Sequence, residues 1–226
     1  MEVEEKVMRI LSGNYITSLS VIAVHATLML KTTDAFSIPA LDGLRVRAKT
    51  DLIERVTSGA SNEEVLSSIT NVERYSIFTK NGGATLKNPS LPGNWLMVWT
   101  TSDSIAGKSR PKIFRTSTPP EQYIDIENGR AVNAEYILGI RNSVEAMLTP
   151  ETKNKVKVNF EKFQIGPINF KPDPDKFKGE LSVTYLDEDM RISRGDKGNA
   201  FILLKEDTKR KEANRIWKQW RKNSGW

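Results

Sequence analysis

Between Gly93 and Glu206, apolar and polar residues alternate at short range. Val156, Val158 and Phe160 alternate with Lys155, Lys157 and Asn159, which gives a strand one apolar face. Leu181, Val183 and Tyr185 alternate with Ser182 and Thr184 in the same way. The string R-G-D-K-G-N at 194–199 supplies two glycines and polar turn formers, and an apolar run follows at 200–204. Along the whole stretch the pattern predicts strands near 94–101, 111–116, 122–127, 131–138, 143–149, 155–169, 180–193 and 199–206. Asn128-Gly129 is the clearest hairpin turn, and K-P-D-P-D at 171–175 is a loop at a barrel mouth or base. About eight short antiparallel strands suit a closed barrel just wide enough for one small ligand.

Helical periods flank this stretch. Leu44, Val46, Leu52, Ile53 and Val56 mark one side of a helix that ends at Ser58-Gly59-Ala60. Ser61 or Asn62 caps a second helix, with Glu63 and Glu64 in its first turn and Val65, Ile69 and Val72 as its stripe. The helical region 44–80 packs beside the barrel or plugs one end, and a Gly/Pro/Asn-rich linker at 81–92 leads into the barrel at 93–206. In the tail, 208–226, Ala213, Ile216, Trp217 and Trp220 recur at i, i+3, i+4 and i+7 while basic residues fill the rest. Two readings follow. The helix lies on an anionic membrane surface or a partner through Ile216, Trp217, Trp220, Lys218 and Arg221, or its tryptophans dock on the barrel; the first is the expectation adopted. The apolar segment 15–30 is short for a bilayer span of about 20 residues. Residues 1–36 are either a targeting segment, despite the acidic Glu2, Glu4 and Glu5, or an N-terminal helix.

Composition narrows the chemistry. The 226 residues are 38% hydrophobic, enough for a core. The chain has no cysteine, which excludes disulfides, thiolate metal sites and a cysteine nucleophile. The single histidine, His25, lies outside the barrel, so no histidine-based triad or metal site can be built on it. From Lys205 onward eight basic residues face three acidic ones, so +5 of the net charge of +6 belongs to the tail. That charge is confined to one helix without a nucleic-acid fold around it, and no nucleic-acid partner is expected. Asp187, Glu188, Asp189 and Asp196 form an acidic cluster whose spacing does not fit an EF-hand; ion pairing with Arg191 and Arg194 is the simpler reading, and no metal is expected. Neither Gly82-Gly83 nor Gly195-x-x-Gly198 sits in a strand-turn-helix context for phosphate, and no catalytic residues are assigned.

The string T-Y-L-D-E-D-M-R-I-S-R-G-D-K-G-N at 184–199, with F-I-L after Ala200, closely resembles the C-terminal signature of the plastid-lipid-associated protein (fibrillin) family. G-N-W-L-M-V-W-T-T-S at 93–102 resembles that family's first strand, with Trp99 where the family has Tyr. Gln122-Tyr123-Ile124-Asp125, Asn133 and Leu148-Thr149-Pro150-Glu151 follow its general run, so the resemblance extends over 44–206. It implies a mainly β fold: a lipocalin-like antiparallel barrel with N-terminal helices and a C-terminal amphipathic helix. Gly93, Trp95, Asp187, Asp189, Arg191, Arg194, Gly195 and Gly198 are then its structural signature.

Gly93-x-Trp95 also resembles the lipocalin signature, in which the indole lies across one barrel end under a cation. Lys205, Arg191 or Arg194 can supply that cation, and Lys205 is best placed if first and last strands pair antiparallel. The candidate lumen residues are Trp99, Phe114, Tyr123, Tyr136, Phe160, Tyr185 and Phe201, with Phe163 beside them. They either hold an elongated apolar molecule or fill a small dry core. The resemblance implies a bound lipid, prenylquinone or carotenoid, no required cofactor, and a non-enzymatic role at thylakoid or plastoglobule surfaces in the plastid (chloroplast). Its rivals are an interaction subunit with a solid barrel on a photosynthetic membrane complex, a photosystem or antenna, and an enzyme of isoprenoid or fatty-acid chemistry.

Overall fold

Strand edges expose unpaired backbone donors and acceptors, and a sheet that curls onto itself removes them. In the computed structural model, which describes residues 39–79, 83–107, 109–173 and 176–225, this is how the chain is arranged. The strands are β1 (Gly93–Thr100), β2 (Glu121–Asp125), β3 (Arg130–Ile137), β4 (Ile140–Pro150), β5 (Lys155–Ile165), β6 (Ile168–Phe170), β7 (Lys178–Leu186), β8 (Met190–Gly195) and β9 (Ala200–Lys205). Pairing runs β1-β2-β3-β4-β5-β7-β8-β9, all antiparallel, and β9 returns to β1, closing an eight-stranded barrel with β6 added to the end of β5. The seam sets Trp95 opposite Lys205 and Leu96 opposite Leu204. The segment 1–36 and His25 lie outside the described residues.

Three expected strands differ, each for a local reason. The stretch 111–116 is not a strand: Pro111 leads into a single 3-10 turn, Lys112–Phe114, in the long connection from β1 to β2. The stretch 155–169 is cut at Gly166, whose φ of +56° turns β5 into β6. The stretch 180–193 is cut at 187–189, where Asp187 Oδ1 accepts the backbone N–H of Asp189 (2.9 Å) and of Met190 (2.8 Å). That side-chain turn separates β7 from β8.

Helices α1 (Pro39–Ser58), α2 (Asn62–Glu73) and α3 (Glu206–Asn223) pack beside the barrel rather than in its end. Ser61 caps α2 through Glu64 N–H, and Glu64 reciprocates to Ser61 N–H, a full capping box. Leu52 and Val56 of α1, Val65 and Ile69 of α2, and Ile216 and Trp217 of α3 share one core with the outward residues Leu96, Val98, Ile192, Ile202 and Leu204 of the strands. Glu73 fixes α2 further, accepting from Arg194 Nε and Nη2 at 2.8 Å each and from Thr184 Oγ1 at 2.6 Å.

The surface expectation for the tail is therefore corrected. Ile216, Trp217 and Trp220 are buried, with Trp220 6.4 Å from Trp99 and 5.2 Å from Trp217 between ring centroids. The outer wall of β1, β8 and β9 is itself apolar, and the stripe of α3 is what covers it. Lys218 stays exposed and Arg221 is half-buried, but the apolar side of α3 is spent inside the protein.

Two stability measurements follow. Gly198 has φ +75° with nothing within 4 Å of an added Cβ, so Gly198→Val strains only the backbone. It should cost about 1–2 kcal/mol and lower the melting temperature by a few degrees in a circular-dichroism melt; an unchanged melt would contradict the turn. Trp217→Ala should cost about 3–5 kcal/mol in urea unfolding, whereas a surface helix would lose almost nothing.

Candidate functional site

One end of the barrel is plugged by Trp95. Its side chain is fully buried, and Nε1–H donates to the Leu91 carbonyl at 2.9 Å. Lys205 Nζ lies 4.6 Å and Arg191 Cζ 5.0 Å from the ring centroid, so two of the three expected cations meet the indole. Arg194 does not, being held by Glu73. Lys205 also donates to the carbonyls of Ser90 (2.8 Å) and Pro92, which pins the strap before β1 across this end. Gly93 follows at φ +105°, and a Cβ there would meet Lys205 Nζ at 3.2 Å. Leu91, Ile124, Val183, Leu186 and Leu203 complete the apolar seal.

Above the seal the barrel encloses a cavity of about 930 Å³, within the usual size of small-molecule sites. Met97, Val144, Val156, Phe160, Leu181 and Phe201 contribute to its mainly apolar lining. A polar strip crosses it near the closed end. Arg191 Nη2 donates to Gln122 Oε1, and Gln122 Nε2 donates to Asn133 Oδ1 at 2.6 Å. Arg191 has no solvent exposure, and burial pushes its pKa down to about 9, so the guanidinium is still charged at neutral pH. Arg191 Nε and Nη1 and the neighbouring Ser193 Oγ, all buried, have no hydrogen-bond partner among the described residues. At the opposite end the β1–β2 connection covers part of the opening, strapped by Arg110 to Glu135 at 2.9 Å. Phe163 stacks on Phe170 (5.3 Å) and meets Phe177 edge-on (5.4 Å) beside the same opening.

Of the residues expected in the lumen, Phe160 and Phe201 line the cavity, as does Phe163. Trp99 and Tyr185 do not. A bulge between Met97 and Trp99 and another between Val183 and Tyr185 shift the period-two count, turning both rings outward under the helices. Tyr123 and Tyr136 sit on the outer face, since Gln122 and Ile124, and Asn133 and Ile137, point inward on their strands. Phe114 is 47% exposed in the β1–β2 connection. Alternation gave no weight to the polar cavity residues Gln122, Asn133 and Ser193; their signal was parity with Ile124, Ala131 and Arg191 on the same strands.

The acidic cluster pairs differently from expectation. Asp187, buried, accepts from Lys49 Nζ (2.6 Å), Arg45 Nη1 (2.9 Å) and the Tyr185 hydroxyl (2.6 Å), not from Arg191 or Arg194. Its two loop N–H bonds complete the set. Burial pushes the Asp187 carboxyl up, but Lys49 and these hydrogen bonds outweigh it and hold the group below the usual carboxylate range. Asp189 faces Thr208 and Lys209 at the start of α3 (3.1 and 3.6 Å). Among the described residues no cluster of three or more metal-ligating side chains exists.

Trp95→Ala should cost about 3–5 kcal/mol, seen as a lowered urea midpoint. Loss of apolar-probe binding with the midpoint intact would instead make Trp95 a ligand contact. Asp187→Asn leaves Lys49 without its counter-charge, while Arg45 keeps Asp42 at 3.4 Å, and should cost about 3–5 kcal/mol at pH 7. Because the folded carboxyl is depressed, this contribution is complete above the unfolded pKa of about 3.9 and lost as pH falls through the lower folded value. The gap in melting temperature between wild type and variant should therefore close below about pH 4.

Comparisons with known proteins come down on the same stretch. A model of the PAP_fibrillin family matches residues 49–204. The chain is 36% identical over 121 residues to the probable plastid-lipid-associated protein 5, chloroplastic, of Arabidopsis thaliana, covering 53% of this chain and 50% of that protein. It is 55% identical over 40 residues to the chromoplast-specific carotenoid-associated protein of Cucumis sativus, covering 18% of this chain and 12% of that protein. The chain thus spans at most half the length of these relatives. Among solved structures, a streptavidin-like protein from Bacteroides eggerthii aligns over 54% of this chain and 84% of its own, at 12% identity and a TM-score of 0.36.

Proposed function

The chain belongs to the PAP_fibrillin family, and from that premise we propose that it is a non-enzymatic plastid protein holding one lipid, prenylquinone or carotenoid in its barrel at a thylakoid or plastoglobule surface. The observation that carries this reading is the cavity of about 930 Å³, apolar over most of its lining and sealed at one end by Trp95. Each 100 Å² of apolar ligand surface withdrawn from water there gains about 2.5 kcal/mol, before the cost of immobilising the ligand. The names of the relatives, plastid-lipid-associated and carotenoid-associated, support a plastid compartment and an apolar ligand. The rival reading, a solid barrel acting as a subunit of a photosynthetic membrane complex, gains nothing from a cavity of this size.

Contact with a lipid surface is assigned to the open end and not to α3. The β3–β4 and β5–β6 turns meet there, an added Cβ on Gly166 lying 3.1 Å from Ile140 Cγ2. Leu138, Ile140, Ile165 and Ile168 stand 52–66% exposed on these turns, flanked by exposed Arg141 and Lys171. Apolar tips beside cations suit an anionic leaflet, and a ligand leaving this opening would pass directly into lipid.

Organic extraction of the purified protein, followed by mass spectrometry, should recover close to one apolar molecule per chain. Protein that carries none, and takes up none from thylakoid lipid extract, would favour the solid-subunit reading. The double variant Leu138→Asp, Ile168→Asp should float less with anionic liposomes while its melting temperature is unchanged. Equal flotation would remove the open end as the lipid contact.

A further inference from the structure

Arg191 does more than the closed end requires. Lys205 alone places a cation on Trp95 and is in addition bonded to the Ser90 and Pro92 carbonyls, so it serves the plug and the strap together. Arg191 sits on the cavity side of the same ring, bonded to one neutral acceptor, Gln122. Two of its nitrogens remain without a partner, and so does Ser193 Oγ two residues along the inward face of β8. Among the described residues no carboxylate forms an ion pair with it. Burying a charge of this kind is costly, and a cation–π contact offsets only part of that cost. Guanidinium stays charged rather than yielding its proton, so it is met by an anion.

We infer that the molecule held in the cavity is a long-chain carboxylate, seated with its carboxyl group inward on Arg191 and Ser193 and its hydrocarbon chain running past Phe160 and Phe163 to the open end. The inference rests on the proposed function and sharpens it: a pure hydrocarbon would leave these donors buried and unmet, whereas a carboxylate supplies two charged acceptor oxygens. Gln122, itself anchored by Asn133, accepts from the guanidinium and fixes where the carboxyl group sits. The polar strip and the apolar walls are thus two parts of one amphiphile site. The depressed pKa of Arg191 agrees with this, because desolvation without a counter-charge is its cause.

cis-Parinaric acid and its methyl ester, whose fluorescence rises on transfer to an apolar site, share one chain and differ only in head-group charge. Delipidated wild-type protein should bind the acid at least tenfold more tightly than the ester at pH 7.4. Arg191→Met should bring acid and ester to the same affinity, and Arg191→Lys should restore part of the preference. Should Arg191→Met fail to fold, Ser193→Ala, which removes one donor and leaves the Trp95 stack, should narrow the preference severalfold. Equal binding of acid and ester by the wild type would overturn the head-group assignment while leaving the barrel a carrier. Binding of neither would overturn the assignment and the carrier reading together. A preference for the acid that survives Arg191→Met unchanged would place the carboxyl group elsewhere and overturn the inference.

Discussion

The pairing of the first strand with the last is the constraint on which the rest of the structure depends. Setting Trp95 opposite Lys205 closes the ring, brings a cation onto the indole and draws the preceding strap across the end in one step. The contact is long-range, 110 residues apart in the chain, and joins the two ends of the antiparallel strand order. It also decides the polarity of the barrel. One end is filled by a large buried ring and its apolar neighbours; the other is left to turns whose tips are apolar and exposed.

One wall serves two cores. Along β1, β7, β8 and β9, inward residues such as Leu203 and Val183 belong to the seal, while outward residues such as Ile202 and Leu204 belong to the layer beneath the helices. A strand apolar on both faces is unusual in antiparallel sheets, and here it has a direct cause in the three helices that cover it. Asp187 ties the layers together, since its carboxylate orders the β7–β8 turn with one oxygen and holds α1 with the other. Asp187 and Asp189 of the acidic run thus fasten helices to the barrel.

Much of this was legible in the sequence. The family strings, the G-x-W and the hairpin at 194–199 are short-range features that a string of letters preserves, and so the barrel, the closing cation Lys205 and a positive φ at one of the two turn glycines, which proves to be Gly198, could be anticipated. The errors lie where one residue changes the parity of all that follow. The bulges after Met97 and Val183 moved Trp99 and Tyr185 from lumen to outer wall, and no local composition marks either bulge. The tail failed for another reason: periodicity locates an apolar stripe but not what covers it, and Trp217 and Trp220 meet a strand wall rather than lipid. Arg191 was assigned to the acids beside it in sequence, yet on a strand neighbouring side chains point to opposite faces, and its own face is the lumen.

The helices clothe only part of the barrel. Along β1, β7, β8 and β9 the wall is two layers thick, whereas β2 to β5 carry side chains such as Tyr123 and Met147 that meet solvent directly. With fewer buried apolar neighbours behind it, the single-layered part is the one expected to open at lower free energy. The barrel is therefore doubly backed along one side of its lumen and singly walled along the other. Any widening of the lumen would fall on that thinner side, away from the seam that keeps the ring closed.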